Sequence, residues 1–392
     1  MKKNSCDINT TLAHQRRGEE KPGRFVTTPI YNASTILFET VEDYEGAFTG
    51  KFSGHTYGRN GTPTSESLEI ALADIDGADK AFTFSSGIAA IGCALKSQLK
   101  AGDHLLITDS VYGPARQFCN QELARFGVEI TYYNPMIGEE IQQLIKPNTR
   151  VIYMESPGSL TFEVQDITAI CNVAKKHNII TMIDNSWATG IFCKPLQHGV
   201  DICIQSATKY INGHSDLVMG VVTCNSPHDK AIKQTHYNNG ASPSAMDCFL
   251  AHRGLRTITL RLERCQKTAL ELAQWLKSRP EVQKVLHPAL PDCPGHENWK
   301  KYYTGSSGLF AVLLAGHPKE KVADMLNHTT YFKMGFSWGG FESLMIPFDP
   351  KPIRTASSWN HDGLSLRLSI GIEDFNDLKE DLEAAFDRLT KN

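Results

Sequence analysis

Lys209 closes the run Gln205-Ser206-Ala207-Thr208-Lys209, in which two hydroxyl residues lead into a lysine at what reads as a strand end. A lysine held at a partly buried strand end loses stabilisation of its charge, so its amine can attack an aldehyde and form a Schiff base. The hydroxyls of Ser206 and Thr208 are placed to bind a phosphate carried by the same ligand. Upstream, Thr181-Met182-Ile183-Asp184 brings a carboxylate to an otherwise apolar depth, where it needs a cationic or hydrogen-bonding partner. The run Thr108-Asp109-Ser110-Val111-Tyr112 puts an aromatic hydroxyl residue just past a strand, where it can stack on a planar ligand. In Phe84-Ser85-Ser86-Gly87-Ile88, small polar residues pass into a helical run, so backbone N–H groups and the positive end of the helix dipole converge on one spot suited to an anion. Singly these are a solvated lysine, a core ion pair, a core-capping tyrosine and an ordinary N-cap. Together they are the set that a pyridoxal phosphate site requires.

The elements that must position these residues are legible in the hydrophobic pattern. Residues 1–60 are polar and Gly-rich without a sustained period, which predicts an arm. Over 61–255, short β-rich runs at Lys80–Phe84, His104–Thr108, Val151–Glu155, Ile179–Asp184 and Asp201–Gln205 alternate with helical stretches. That alternation predicts an α/β domain with a mostly parallel central sheet covered on both faces, whose strand ends carry the ligand. Near Gly254 a long amphipathic helix begins, with Leu260, Leu262, Cys265, Ala269, Leu272, Ala273 and Leu276 on its apolar face, ending before Pro280. It opens a smaller α+β domain over 256–392, with strands at Ser307–Leu314 and Ser365–Ile370 and a closing helix after an Asp374 cap.

The 40 Lys and Arg against 43 Asp and Glu leave a net charge of −3, which gives no electrostatic reason to expect nucleic acid or an anionic membrane as partner. The natural partner is a small molecule. The apolar stretch Gly308 to Gly316 is about half of what a membrane span needs, and the basic N-terminus has no apolar region after it, so a cytoplasmic location is expected. The ten cysteines contain no C-x-x-C pair and no His spaced to complete a zinc set, so no metal is expected. Neither a P-loop, a G-x-G-x-x-G fingerprint nor H-E-x-x-H occurs.

Six ordered motifs carry a resemblance over nearly the whole chain. They are Tyr57-Gly58-Arg59, Ser86-Gly87-Ile88-Ala89-Ala90, Glu155-Ser156-Pro157, Ile183-Asp184-Asn185, Ser206-Ala207-Thr208-Lys209-Tyr210 with Gly213-His214-Ser215-Asp216, and Leu366-Arg367-Leu368-Ser369-Ile370-Gly371. With them the chain resembles the Cys/Met-metabolism pyridoxal-phosphate enzymes, of fold type I (aspartate aminotransferase-like). The resemblance implies Lys209 as the Schiff-base lysine and Asp184 at the pyridine nitrogen. Tyr112 would stack on the ring, and the N–H groups of Gly87 and Ile88 with Ser206 and Thr208 would hold the phosphate. It further implies that Tyr57 and Arg59 reach that phosphate from a neighbouring subunit, within a homotetramer built of two active-site-sharing dimers. Arg367 would take the substrate α-carboxylate, with Ser337 assisting, and Trp338, Tyr237 and Ser159 are further pocket candidates.

Two segments bear on the carbon attacked. Glu155-Ser156-Pro157-Gly158-Ser159 and the aromatics of Phe336-Ser337-Trp338 resemble the β-acting members, the cystathionine β-lyases, whereas members acting at the γ carbon usually read E-S-P-T-N-P and E-S-L-G-G. The run around Lys209 does not separate the two. The expected activity is β-elimination of L-cystathionine to L-homocysteine, pyruvate and ammonia, extending to cysteine, cystine or other cysteine S-conjugates, with Lys209 moving the proton and Tyr112 as alternative or helper. The alternatives are a cystathionine γ-lyase or γ-synthase of the same fold, and a binding protein of this fold without activity. Intact Lys209, Asp184 and Arg367 argue against the last.

Overall fold

Seven short, mostly apolar runs pair into one sheet in the computed structural model, which describes residues 7–14 and 25–390. Parts of the expected arm, residues 1–6 and 15–24, lie outside the described residues. The strands are β1 (Lys80–Phe84), β2 (His104–Thr108), β3 (Glu129–Tyr133), β4 (Thr149–Glu155), β5 (Ile180–Asp184), β6 (Ile202–Ser206) and β7 (Gly220–Cys224), in spatial order β1-β7-β6-β5-β4-β2-β3. From β6 to β3 every pairing is parallel, and β7 alone runs opposite to both its neighbours. β2 and β7 are buried at every residue, as strands covered on both faces must be.

A second, antiparallel sheet orders β10 (Leu344–Phe348), β11 (Ser365–Ser369), β9 (Leu309–Leu314) and β8 (Val282–Leu286). The strand alternation of β11 sends Leu366 and Leu368 into an apolar core with the closing helix Phe375–Thr390, so Ser365, Arg367 and Ser369 occupy the opposite face. The predicted strands appear within one or two residues of their expected ends. The long helix begins at Ile258 rather than Gly254, behind a separate helix Ala245–Leu255. Leu260, expected on its apolar face, is 64% exposed. Ile258 and Leu262 are the buried residues, and a residue midway between them points elsewhere on a helix.

The nine described cysteines are free and buried, and no group of His, Cys, Asp or Glu among the described residues could hold a metal. No helix among the described residues is long and apolar enough to cross a membrane.

Candidate active site

The carboxyl ends of β2, β4, β5 and β6 open onto one cavity of about 340 Å³, where ligands bind in parallel sheets. Asp184 is the last residue of β5 and Glu155 the last of β4, and the parallel register pairs them side by side. Ser206 ends β6, and the turn after it carries Lys209, whose N–H donates to the Ser206 carbonyl at 3.1 Å. Tyr112 follows β2, and its N–H donates to Glu155 Oε2 at 2.6 Å. The second sheet contributes Arg367 from β11, and the loop before β10 contributes Trp338.

The anion cradle forms for a local reason. Ser86 caps the helix Gly87–Gln98 by accepting from the Ala89 N–H at 3.1 Å, which leaves the N–H groups of Gly87 and Ile88 in a first turn that no helical carbonyl can serve. Gly87 has no Cβ because one there would sit 3.0 Å from Ser206 Oγ. Gly220 of β7 serves the same approach, since a Cβ there would lie 2.3 Å from the Ser86 carbonyl oxygen. Thr208 also lines the cavity, with its hydroxyl donating to the Met219 carbonyl at 3.1 Å and accepting from the Met219 N–H at 2.9 Å.

Lys209 Nζ donates to Ser337 Oγ at 2.5 Å and lies 5.2 Å from the centre of the Trp338 ring. Burial and the nearby Arg367 guanidinium lower its pKa to about 8, and Asp184 opposes the shift. Ser337 holds a left-handed φ of +84°, unusual for a residue with a side chain, and its carbonyl accepts from Arg367 Nη2 at 2.7 Å. Burial lowers the Arg367 pKa to about 10, and its Nε is buried without a partner among the described residues. That orphaned donor beside a held Nη2 is one edge of a fork awaiting a carboxylate. Asp184 is raised by burial, against bonds from Ser186. Glu155 is raised well above the ordinary carboxylate range by burial and by Asp184.

Lys209, Asp184, Tyr112, Gly87, Ile88, Ser206, Thr208, Arg367, Trp338 and Ser159 all line this cavity, and Ser337 touches Lys209 at its edge. Tyr57, Arg59 and Tyr237 do not. Arg59 Nη1 donates to the Tyr237 carbonyl at 2.6 Å and its guanidinium lies 4.7 Å above the Tyr237 ring. Tyr57 and Tyr237 line a separate groove against the helix Val41–Thr49. Phe336, one of the aromatics read as substrate-facing, is 98% exposed and lines no part of the cavity in its own chain. Glu155 also lines the cavity, and in the sequence it carries the same signal as Asp184, a carboxylate ending an apolar strand.

The family described as Cys/Met metabolism PLP-dependent enzyme matches residues 9–387. A Haemophilus influenzae protein named cystathionine beta-lyase is 38% identical, covering 98% of this chain and 98% of its own. A Wolbachia pipientis protein named L-alanine/L-glutamate racemase is 42% identical, with 92% of each chain covered. The crystal structure of metB from Corynebacterium glutamicum superposes with a TM-score of 0.89 at 31% identity, over 98% of this chain and 99% of that one. Fold, cavity and family agree: the chain belongs to the Cys/Met metabolism PLP-dependent enzymes.

Proposed function

We propose that the protein is a carbon–sulfur lyase that cleaves L-cystathionine by β-elimination into L-homocysteine, pyruvate and ammonia. The observation that carries this reading is the cavity that joins Lys209, Asp184 and Arg367 to the Glu155–Ser159 run and Trp338, in a chain similar to a named cystathionine beta-lyase. The residues fit pyridoxal phosphate. The Gly87 and Ile88 N–H groups with Ser206 and Thr208 would hold its phosphate, Tyr112 its ring face, Asp184 its nitrogen and Lys209 its aldehyde carbon. When bound, the cofactor supplies an electron sink that acidifies the substrate Cα–H.

Arg367 takes the substrate carboxylate with its unpartnered Nε and fixes Cα near Lys209. Lys209 Nζ, shifted toward neutrality, accepts the Cα proton and returns it to the departing sulfur as the Cβ–S bond breaks. The remaining three-carbon fragment is hydrolysed by water to pyruvate and ammonia. Ser337 Oγ, bonded to Nζ, holds the amine on this path. Tyr57 and Arg59, outside the cavity of their own chain, are assigned to a partner's phosphate, in a cytoplasmic tetramer of two active-site-sharing dimers. The arm spans 1–60, the cofactor domain 61–255 and the smaller domain 256–392.

The racemase among the relatives favours a second reading, in which the same Cα proton is removed and returned with no leaving group. Incubating the holoenzyme with L-cystathionine and, separately, with L-alanine tests both. Pyruvate with homocysteine is expected. 2-Oxobutyrate with cysteine would move the attack to the γ carbon, and D-alanine without pyruvate from cystathionine would favour racemisation.

A further inference from the structure

The loop after β4 carries Ser159 and Leu160 into the cavity, yet two of its residues with side chains, Leu160 and Phe162, have left-handed φ values of +67° and +60°. Such conformations cost an L-residue free energy and persist only where the surroundings over-determine them. Here the surroundings come from the far end of the chain. The side chain of Arg354, in the segment between β10 and β11, is 5% exposed, and its Nη2 donates to Glu163 Oε1 at 2.9 Å and to Thr161 Oγ1. Thr161 Oγ1 donates onward to Glu163 Oε2 at 2.6 Å, so guanidinium, hydroxyl and carboxylate form a closed circuit under the loop.

The other edge of the guanidinium is equally engaged. Arg354 Nη1 donates to Ser357 Oγ at 3.0 Å, and Ser357 Oγ donates to Asp109 Oδ2 at 2.7 Å. Asp109, three residues before Tyr112, also accepts from the N–H groups of Thr355, Ala356 and Ser357 and from Arg116. Its pKa lies below the ordinary carboxylate value because these bonds outweigh its burial. The segment 354–357 is thereby fastened to the end of β2 on one side and to the loop after β4 on the other. Ser110, next to Asp109, completes the frame by accepting the Ser159 N–H at 2.8 Å.

Arg367 and Lys209 engage what every amino-acid substrate shares, so discrimination between substrates falls to lining that meets the part beyond the sulfur. We propose that Arg354 is a positioning residue that, bridging Glu163 to Asp109 through Ser357, holds the strained loop so that Ser159 and Leu160 favour a long thioether substrate over a short one. This rests on the β-lyase reading above. The test compares R354M and E163Q with the wild type, as holoenzymes, on L-cystathionine and on S-methyl-L-cysteine. A loosened wall displaced by well under 1 Å should cost roughly tenfold in kcat/KM for cystathionine, mainly through KM. Turnover of S-methyl-L-cysteine should stay within about twofold and the bound-cofactor absorbance should not change, because Lys209 and Arg367 keep their places.

An equal loss on both substrates, or no loss on either, would overturn the proposal by making the network merely structural. E163Q keeps the volume of Glu163, so it decides the question alone if R354M fails to fold. A wild-type enzyme that releases pyruvate from neither substrate would instead sink the β-lyase reading itself.

Discussion

The lowered pKa of Lys209 can be measured directly. An amine with a pKa of about 8 rather than 10.5 is about one-tenth neutral at pH 7, where an ordinary lysine is neutral to about 3 parts in 10,000, so its nucleophilic form is enriched about 300-fold. Two causes underlie the shift, burial first and the Arg367 charge second. Competitive labelling of the cofactor-stripped protein with a small anhydride, from pH 6 to 11 and read by peptide mass spectrometry, gives the titration of each lysine. Lys209 should reach half its plateau near pH 8. Arg367→Met should move the Lys209 midpoint upward but not to the ordinary value, because the larger cause, burial, remains. A midpoint above about 10 in the wild type would refute the electrostatic argument, as would one that Arg367→Met lowers or leaves unmoved.

Arg367→Lys keeps the charge but loses the fork, and the lost bond to a carboxylate, about 1.5–3 kcal/mol, predicts a fall of roughly 10- to 100-fold in kcat/KM, read by steady-state kinetics. Glu69, which accepts from the N–H and hydroxyl of Thr83, is pushed by burial to a pKa of about 7. A carboxyl raised on folding favours the folded state fully below its unfolded value and loses that contribution as pH rises through about 7. Thermal unfolding should therefore show stability falling between pH 4.5 and 7, by at most about 3 kcal/mol, and a flatter profile in Glu69→Gln.

How much of this site was legible depends on the distance over which each residue is positioned. Lys209, Asp184 and Tyr112 follow strands whose apolar runs are local, so their convergence follows from the rule that parallel strands deliver their ends to one edge. The strands that the sequence did not mark are β3, β7, β8 and β10; β3, β8 and β10 are sheet edges buried at only some of their five residues, which weakens the apolar signal. β7 is a five-residue apolar run antiparallel to its neighbours, and β8 and β10 pair only within the second sheet. The Arg354 network was illegible for a different reason. Its partners, Glu163 and Asp109, lie 191 and 246 positions away from Arg354 and Thr355, and no periodicity connects them. Phe336, read with Trp338 as a mark of the β-acting members, is 98% exposed in its own chain, whereas Trp338 lines the cavity.

The two carboxylates at the cavity floor can be told apart by where the proton sits. Paired in register and half-buried at the cavity, Glu155 and Asp184 cannot both be charged cheaply, so one must carry the proton. Burial raises both; the Asp184 charge adds to the rise at Glu155, while Asp184 is held back by bonds from Ser186 and by the Lys209 charge. The proton therefore belongs on Glu155, whose carboxyl accepts the Tyr112 N–H and a bond from the Ser159 side chain, and the charge on Asp184, which faces the cavity where a cationic ring nitrogen would sit. Gln mimics a protonated glutamate, whereas Asn cannot supply a charge. Asp184→Asn should thus reduce kcat at least about tenfold more than Glu155→Gln does, since a buried ion pair costs several kcal/mol to leave half-made. Equal losses in the two variants would show that the charge is shared across the pair and would reverse the assignment of the proton.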